Sequence, residues 1–321
     1  MALMPSTRMR RSALAAACAG VTLISVAGLT GAIGAAATPL STHHVVAKKA
    51  GQPKVVAGTR YLALGDSVPF GFRESNAIPT NKNNYSKPKT FVGYPEDVAK
   101  NLGLKVANLA CPGETTSSLI NPKKPSNGCE NSFNGTKQVK GGYATLNPLH
   151  VKYKDTTKKN GQLATAVKFL KAHKNVRLVS LMIGANDGFL CLEHGASCNL
   201  GAAVATISKN ATHIFKTIRT KGHYKGQIVL VNYYSTDYSD AAATGQSKLL
   251  NSALLAAAKP FNVEVANSFG AFRKASLQAH GKTCTAQLLT QLKTTPASCG
   301  VHPSVSGQAL LAQAVEQAIK K

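Results

Sequence analysis

Short apolar runs rich in β-branched residues recur along this chain and alternate with stretches whose apolar positions repeat at helical spacing. The runs Arg60–Leu64, Lys105–Ala110, Arg177–Ile183, Gln227–Val231 and Asn262–Ala266 have the near-continuous hydrophobicity of strands buried on both faces. Between and after them, Tyr94–Leu102, Gln162–His173, Ala202–Thr220, Gln246–Lys259 and Ser304–Lys320 read as helices. In the last of these, Leu310, Leu311, Ala314, Val315 and Ile319 repeat at helical spacing. This alternation through short connections predicts an α/β fold: a parallel sheet of about five strands with helices on both faces, three layers in all. Such sheets hold ligands beyond the carboxyl ends of their strands, so the residues just after each strand are the candidates for chemistry.

The N-terminal stretch departs from this pattern. Arg8, Arg10 and Arg11 precede a long apolar run, rich in Ala and Gly, that closes on Ala35, Ala36 and Ala37, the order of a secretory signal. A membrane anchor is the competing reading. Residues 1–37 are therefore expected to be a signal peptide cleaved near Ala37, 38–59 a flexible basic linker, and 60–321 one domain of a secreted protein.

Charge adds a surface property. The chain carries 38 Lys and Arg against 13 Asp and Glu, a formal charge of +25, of which Arg8, Arg10 and Arg11 leave with the signal. Much of the excess lies in an insertion at about 121–161. This balance favours anionic surfaces such as wall polymers or acidic lipid headgroups. The insertion has neither a nucleic-acid motif nor aromatics enough for a stacking platform, so dedicated nucleic-acid binding is not expected. A monomer is.

Six cysteines remain after Cys18 departs: Cys111, Cys129, Cys191, Cys198, Cys284 and Cys299. An even number in an exported chain implies disulfides, although many pairings are possible. Sequential pairing is the simplest, because each neighbouring pair closes a short loop. No C-x-x-C pairs or clustered histidines suggest zinc, and no cofactor is expected.

Four residues supply the parts for acyl transfer. Ser67, in YLALGDSVPFGF, follows the first strand and can act as nucleophile. Gly113, in NLACPGETTSSL, sits at the turn after the second strand, where a backbone N–H can face the crevice. Asn186, in LMIGANDGF, stands at the exit of the third, and its amide can donate to an oxyanion without carrying a charge. His302, in SCGVHPSVSGQALL, precedes the last helix and can serve as general base and acid. Separately each has an ordinary explanation as a cap, turn or surface residue; together, in this order at strand ends, they point to an oxyanion hole of Ser67, Gly113 and Asn186. Asp66 and Asp187 read as turn or capping residues, and Val68, Pro69, Phe70 and Phe72 as candidates for the acyl wall or the core.

GDSV, the glycine of CPGETT, GAND and the final HP resemble the four blocks of the SGNH (GDSL-type) hydrolases. The likeness runs from about Arg60 to the C-terminus, and the CPGETT block with the cysteine placement resembles the family's secreted actinobacterial esterases and lipases. The resemblance implies a flavodoxin-like α/β/α fold with Ser67, Gly113, Asn186 and His302 in the roles above. One departure stands out. The family's Asp three residues before the histidine is here Cys299, and the nearest acids along the chain are Glu264 and Glu316. The expectation is a Ser67–His302 dyad whose imidazole is held by a backbone carbonyl near Cys299, with a Cys284–Cys299 bridge stiffening that segment. Such an enzyme would cleave carboxylic esters of lipids or small molecules without a metal; phospholipase and carbohydrate deacetylase are variants of that reading. The other function class is a catalytically silent basic binding protein on a hydrolase scaffold.

Overall fold

All five apolar runs become strands of one sheet. The computed structural model describes residues 52–74, 76–78, 90–134, 137–140, 142–143, 157–193, 195–296 and 298–320. The expected signal peptide and most of the expected linker lie outside them. The first elements are β1 (Arg60–Gly65), α1 (Ser67–Phe70), β2 (Ala77–Ile78), α2 (Tyr94–Leu102), β3 (Lys105–Asn108) and α3 (Thr116–Ile120). Next come β4 (Asn131–Asn134), β5 (Lys137–Lys140), α4 (Thr157–Ala172), β6 (Val176–Met182), α5 (Ala185–Glu193) and α6 (Leu200–Thr220). The chain closes with β7 (Gln227–Val231), α7 (Ala241–Ala258), β8 (Val263–Ala266), α8 (Ser268–Ala275), β9 (Leu289–Leu292), β10 (Ser298–Pro303) and α9 (Val305–Ala318).

The main sheet has the order β3-β1-β6-β7-β8, and every pair in it is parallel. Its central strands bury both faces: Tyr61, Leu62, Leu64, Leu178, Leu181, Ile228 and Leu230 are fully enclosed, which is why these runs show no alternation. The helices form two packed groups, α2, α8 and α9 in one and α3 to α7 in the other, giving the layers on either side.

Element ends depart from the sequence expectation where side chains intervene. β3 stops at Asn108, whose carboxamide accepts from the Ala110 N–H at 3.0 Å and donates to the Pro69 carbonyl at 2.7 Å, tying the end of the strand to α1. α7 starts at Ala241 because Asp240 caps it, accepting from the Ala242 and Ala243 N–H groups; the alanines that follow give no periodic signal. The end of the expected linker is docked rather than free. Val55 packs on the core, and the Gly58 N–H donates to the Gly103 carbonyl at 2.8 Å.

Two small antiparallel sheets were not foreseen. One is the hairpin β4–β5 within the basic insertion. The other, ordered β10-β9-β2, links the segment around Ala77, through β9, to the strand β10 that carries His302. Among the described residues, no helix is long and apolar enough to cross a membrane. The disulfides are Cys111–Cys129, Cys191–Cys198 and Cys284–Cys299, with Cα separations of 5.7, 4.9 and 5.8 Å. Closing a loop of about 15 residues contributes roughly 3 kcal/mol in the chain-entropy account.

Candidate active site

Ser67 opens α1 immediately beyond β1. Asp66 caps that turn: its Oδ1 accepts from the Val68 N–H at 3.0 Å, and its Oδ2 accepts from the Tyr233 hydroxyl. Burial raises the Asp66 carboxyl to about 6, against the lowering effect of the Tyr233 and Val68 hydrogen bonds. Gly71 ends the short helix in the left-handed region, at φ 81°. Val68, Pro69 and Phe70 are buried, as core residues are. Phe72 is only half-buried: its ring meets the His302 imidazole edge-on at 4.8 Å, and the Tyr143 ring lies 5.5 Å from it.

His302 Nε2 lies 2.9 Å from Ser67 Oγ. Its Nδ1 lies 2.8 Å from Glu74 Oε1. This corrects the expected dyad, because the imidazole is oriented by a carboxylate and not by a carbonyl near Cys299. A carboxylate only accepts, so Nδ1 carries the proton and Nε2 is left to accept from Ser67. The local backbone explains how Glu74 reaches this position. The β9–β10 register shifts between Cys299 and Pro303, and such a bulge re-aims side chains and frees N–H groups from the ladder. Those of Val301 and His302 turn to Glu74 Oε1, at 3.1 and 3.4 Å. Gly300 provides the room: a Cβ there would stand 1.9 Å from Glu74 Oε1. Burial pushes the Glu74 carboxyl up, but the hydrogen bond and charge of His302, with backbone N–H groups, outweigh it and hold the carboxyl below its ordinary value.

The other acids are engaged elsewhere. Asp187 Oδ2 accepts from the Thr116 N–H at 2.8 Å and its Oδ1 from the Thr116 hydroxyl, tying α5 to the start of α3; burial raises it to about 6. Asp237 accepts from the backbone and hydroxyl of Ser239, Asp240 caps α7, and Glu264 pairs with Lys320.

Gly113 and Asn186 converge on the same end of the sheet. Gly113 has φ 80°, and its carbonyl accepts from the Asn127 N–H at 2.6 Å; a Cβ would stand 2.1 Å from the Asn127 carbonyl oxygen. Only glycine fits. Among the described residues, neither the Ser67 nor the Gly113 N–H has an acceptor. Asn186 is buried in the first turn of α5; its Nδ2 donates to the Glu114 carbonyl at 3.0 Å, and its Oδ1 accepts from Asn127 Nδ2 at 3.2 Å. Those two partners fix which end of the amide is which, leaving the second N–H of Nδ2 for a ligand. The Cys111–Cys129 bridge ties the Gly113 turn to the segment that carries Asn127. The one cluster of metal-type ligands among the described residues, Cys111, Glu114 and Cys129, has both sulfurs in that disulfide.

Glu74 and Asn127 are the residues that sequence reasoning passed over. Glu74 is the first acid after Ser67 in the chain, and Gly300 is a gap two residues before the histidine; those signals were present but had no local pattern to link them.

A parallel sheet with this serine at a strand exit, and a histidine and carboxylate brought to it by a small antiparallel sheet, is the framework of an ester hydrolase. The chain matches the model of the GDSL-like lipase/acylhydrolase family over residues 63–310, and it belongs to that family. Among solved structures, a protein described as a GDSL-like lipase from Parabacteroides merdae is 17% identical, with 83% of this chain and 99% of that one covered and a TM-score of 0.50. An acetylxylan esterase from Geobacillus stearothermophilus is 18% identical, with coverages of 84% and 97% and a TM-score of 0.49. At 17% identity the first of these likenesses concerns the fold alone. Comparison with curated proteins finds no match.

Proposed function

We propose that this ester hydrolase works through a Ser67–His302–Glu74 triad on carboxylic esters of lipids or small molecules. The observation that carries the reading is the unbroken chain from Ser67 Oγ to His302 Nε2 at 2.9 Å and from His302 Nδ1 to Glu74 at 2.8 Å. Ser67 Oγ attacks the ester carbonyl carbon as His302 Nε2 takes its proton. The carbonyl oxygen becomes the oxyanion, received by the Ser67 and Gly113 N–H groups and by Asn186 Nδ2. His302 then protonates the departing alcohol oxygen, leaving an acyl-Ser67 ester. Water attacks that ester with His302 again as base, and the carboxylic acid and free Ser67 are restored. Glu74 stays ionised throughout, holding the ring and offsetting the imidazolium charge.

Phe72 beside the imidazole and the exposed Phe189, one helical turn beyond Asn186 on α5, supply apolar flanks suited to an acyl chain. The silent-binder reading has no observation in its favour. The protein is further read as a secreted monomer, its leader removed near Ala37 and its basic surface turned to anionic wall or membrane; the three disulfides agree with an oxidising compartment. Hydrolysis of p-nitrophenyl acetate and longer p-nitrophenyl esters tests the activity, and peptide mapping after a p-nitrophenyl phosphonate tests the nucleophile. Turnover with label on Ser67 is expected; no turnover, or label on another residue, would overturn the assignment.

A further inference from the structure

We propose that Gln162 is a positioning residue for this hydrolysis, a buried carboxamide that joins the strand exit carrying Ser67 to the turn carrying Gly113. The proposal rests on the triad reading above and adds a residue that touches neither Ser67 nor substrate.

The geometry begins where β1 and β3 part. Their ladder pairs Arg60–Ala63 with Lys105–Asn108, and the Leu109 and Cys111 N–H groups then donate to the Ala63 and Gly65 carbonyls. No strand residue accepts from the Gly65 N–H. Gln162 Oε1 does so instead, at 2.6 Å, while its Nε2 donates to the Gly65 carbonyl at 3.0 Å. The side-chain amide thus stands in for a missing peptide at the fork where the crevice opens. Gly65 cannot be held by a side chain of its own, because it has φ 138° and a Cβ would meet the Met182 carbonyl oxygen at 2.0 Å.

The same Nε2 donates to Glu114 Oε2 at 3.0 Å. Glu114 follows Gly113 directly; its Oε1 accepts from the Ser118 hydroxyl, and its carbonyl accepts from Asn186 Nδ2 at 3.0 Å. One amide therefore reaches the backbone two residues before the nucleophile and the residue next to the oxyanion glycine. Gln162, Glu114 and Ser118 are fully buried. An apolar side chain would fill that volume without being desolvated, so what the amide adds is direction. A break in the helix delivers it: Gly161, at φ 75°, interrupts α4 just before Gln162 and lies against Leu119 and Pro122, near the end of α3.

Gln162→Glu keeps the shape and removes both N–H donors, so an acceptor would face the Gly65 carbonyl and Glu114. With p-nitrophenyl acetate, kcat is expected to fall about 10²-fold, the scale of a small misplacement of reacting groups, with KM little changed. Titration with a p-nitrophenyl phosphonate counts folded, competent sites; the count should match wild type while phosphonylation slows in step with kcat. The acids facing position 162 are Glu114, in direct contact, and Glu130, which bears on Glu114. They favour protonation of the new carboxyl, and a protonated carboxyl donates again. The ratio of variant to wild-type kcat should therefore rise as pH falls from 8 to 5.5. Should that variant not fold, Gln162→Met provides the same kinetic test per titrated site, with a ratio that does not change with pH. Wild-type kcat per titrated site in either variant, or a loss accounted for wholly by fewer titratable sites, would overturn the proposal. An inactive wild-type protein would instead count against the hydrolase reading itself.

Discussion

The two sides of the cleft are built by different means. Ser67, Gly113 and Asn186 stand at the exits of three neighbouring strands, β1, β3 and β6, each placed by its own strand and the turn that follows. His302 and Glu74 are joined across 228 residues by a small antiparallel sheet and a bulge that frees two N–H groups. The first side is local architecture repeated three times. The second exists only when β2, β9 and β10 have paired. In the proposed mechanism the chemistry therefore rests on an oxyanion face at the strand exits and a base held by a peripheral clamp.

Loss of the nucleophile should be the largest effect. Ser67→Ala is expected to lower kcat by about 10⁶, the usual scale for a triad member, with the thermal midpoint nearly unchanged. Asn186→Ala should cost roughly 10²–10³ in kcat, as one oxyanion donor does. Near-native turnover in both variants would dissolve the strand-exit half of the comparison.

Gly300→Ala probes the clamp without touching a reacting group. Its methyl would stand 1.9 Å from Glu74 Oε1, the far end of a side chain that can swing away at little cost to the fold. We expect kcat lower by roughly 10- to 10²-fold, since the base is misplaced while the oxyanion face is intact. Unchanged kcat would show that Glu74 need not sit there.

The smallest effect is on stability. Burial raises Glu96 to about 7 and Asp66 and Asp187 to about 6. Each binds its proton more tightly folded than unfolded, so folding takes up protons and stability grows as pH falls through these values. Glu74 is depressed, so its contribution is present above the ordinary carboxylate value and is lost as pH drops below it. The urea midpoint should rise from pH 8 to about 5 and decline below about 4; a steady decline from pH 8 downward would contradict this.

The same division marks what the sequence could tell. The sheet was legible because strands buried on both faces leave unbroken apolar runs, and Ser67, Gly113 and Asn186 were legible because each directly follows such a run. Glu74 was not, because proximity along the chain to His302 stood in for proximity in space. The two-residue strand Ala77–Ile78 that brings it near has no periodicity to read. Gln162 escaped notice as well: in a helical pattern it looks like any polar position, and only the Gly161 break and its burial reveal it.

The central claim is that Glu74 orients the base, and Glu74→Gln tests it most directly. The variant keeps the size of the side chain and removes its charge, so Nδ1 is no longer held in the tautomer that leaves Nε2 free to accept from Ser67. On p-nitrophenyl acetate, kcat is expected to fall on the order of 10⁴-fold, the loss seen when a triad acid becomes its amide, with phosphonate titration confirming folded protein. Asp237→Asn, Asp240→Asn and Glu264→Gln, in the same assay, should stay close to wild type. If Glu74→Gln also stayed close to wild type, or if one of those three fell as far, the account of this active site would be wrong.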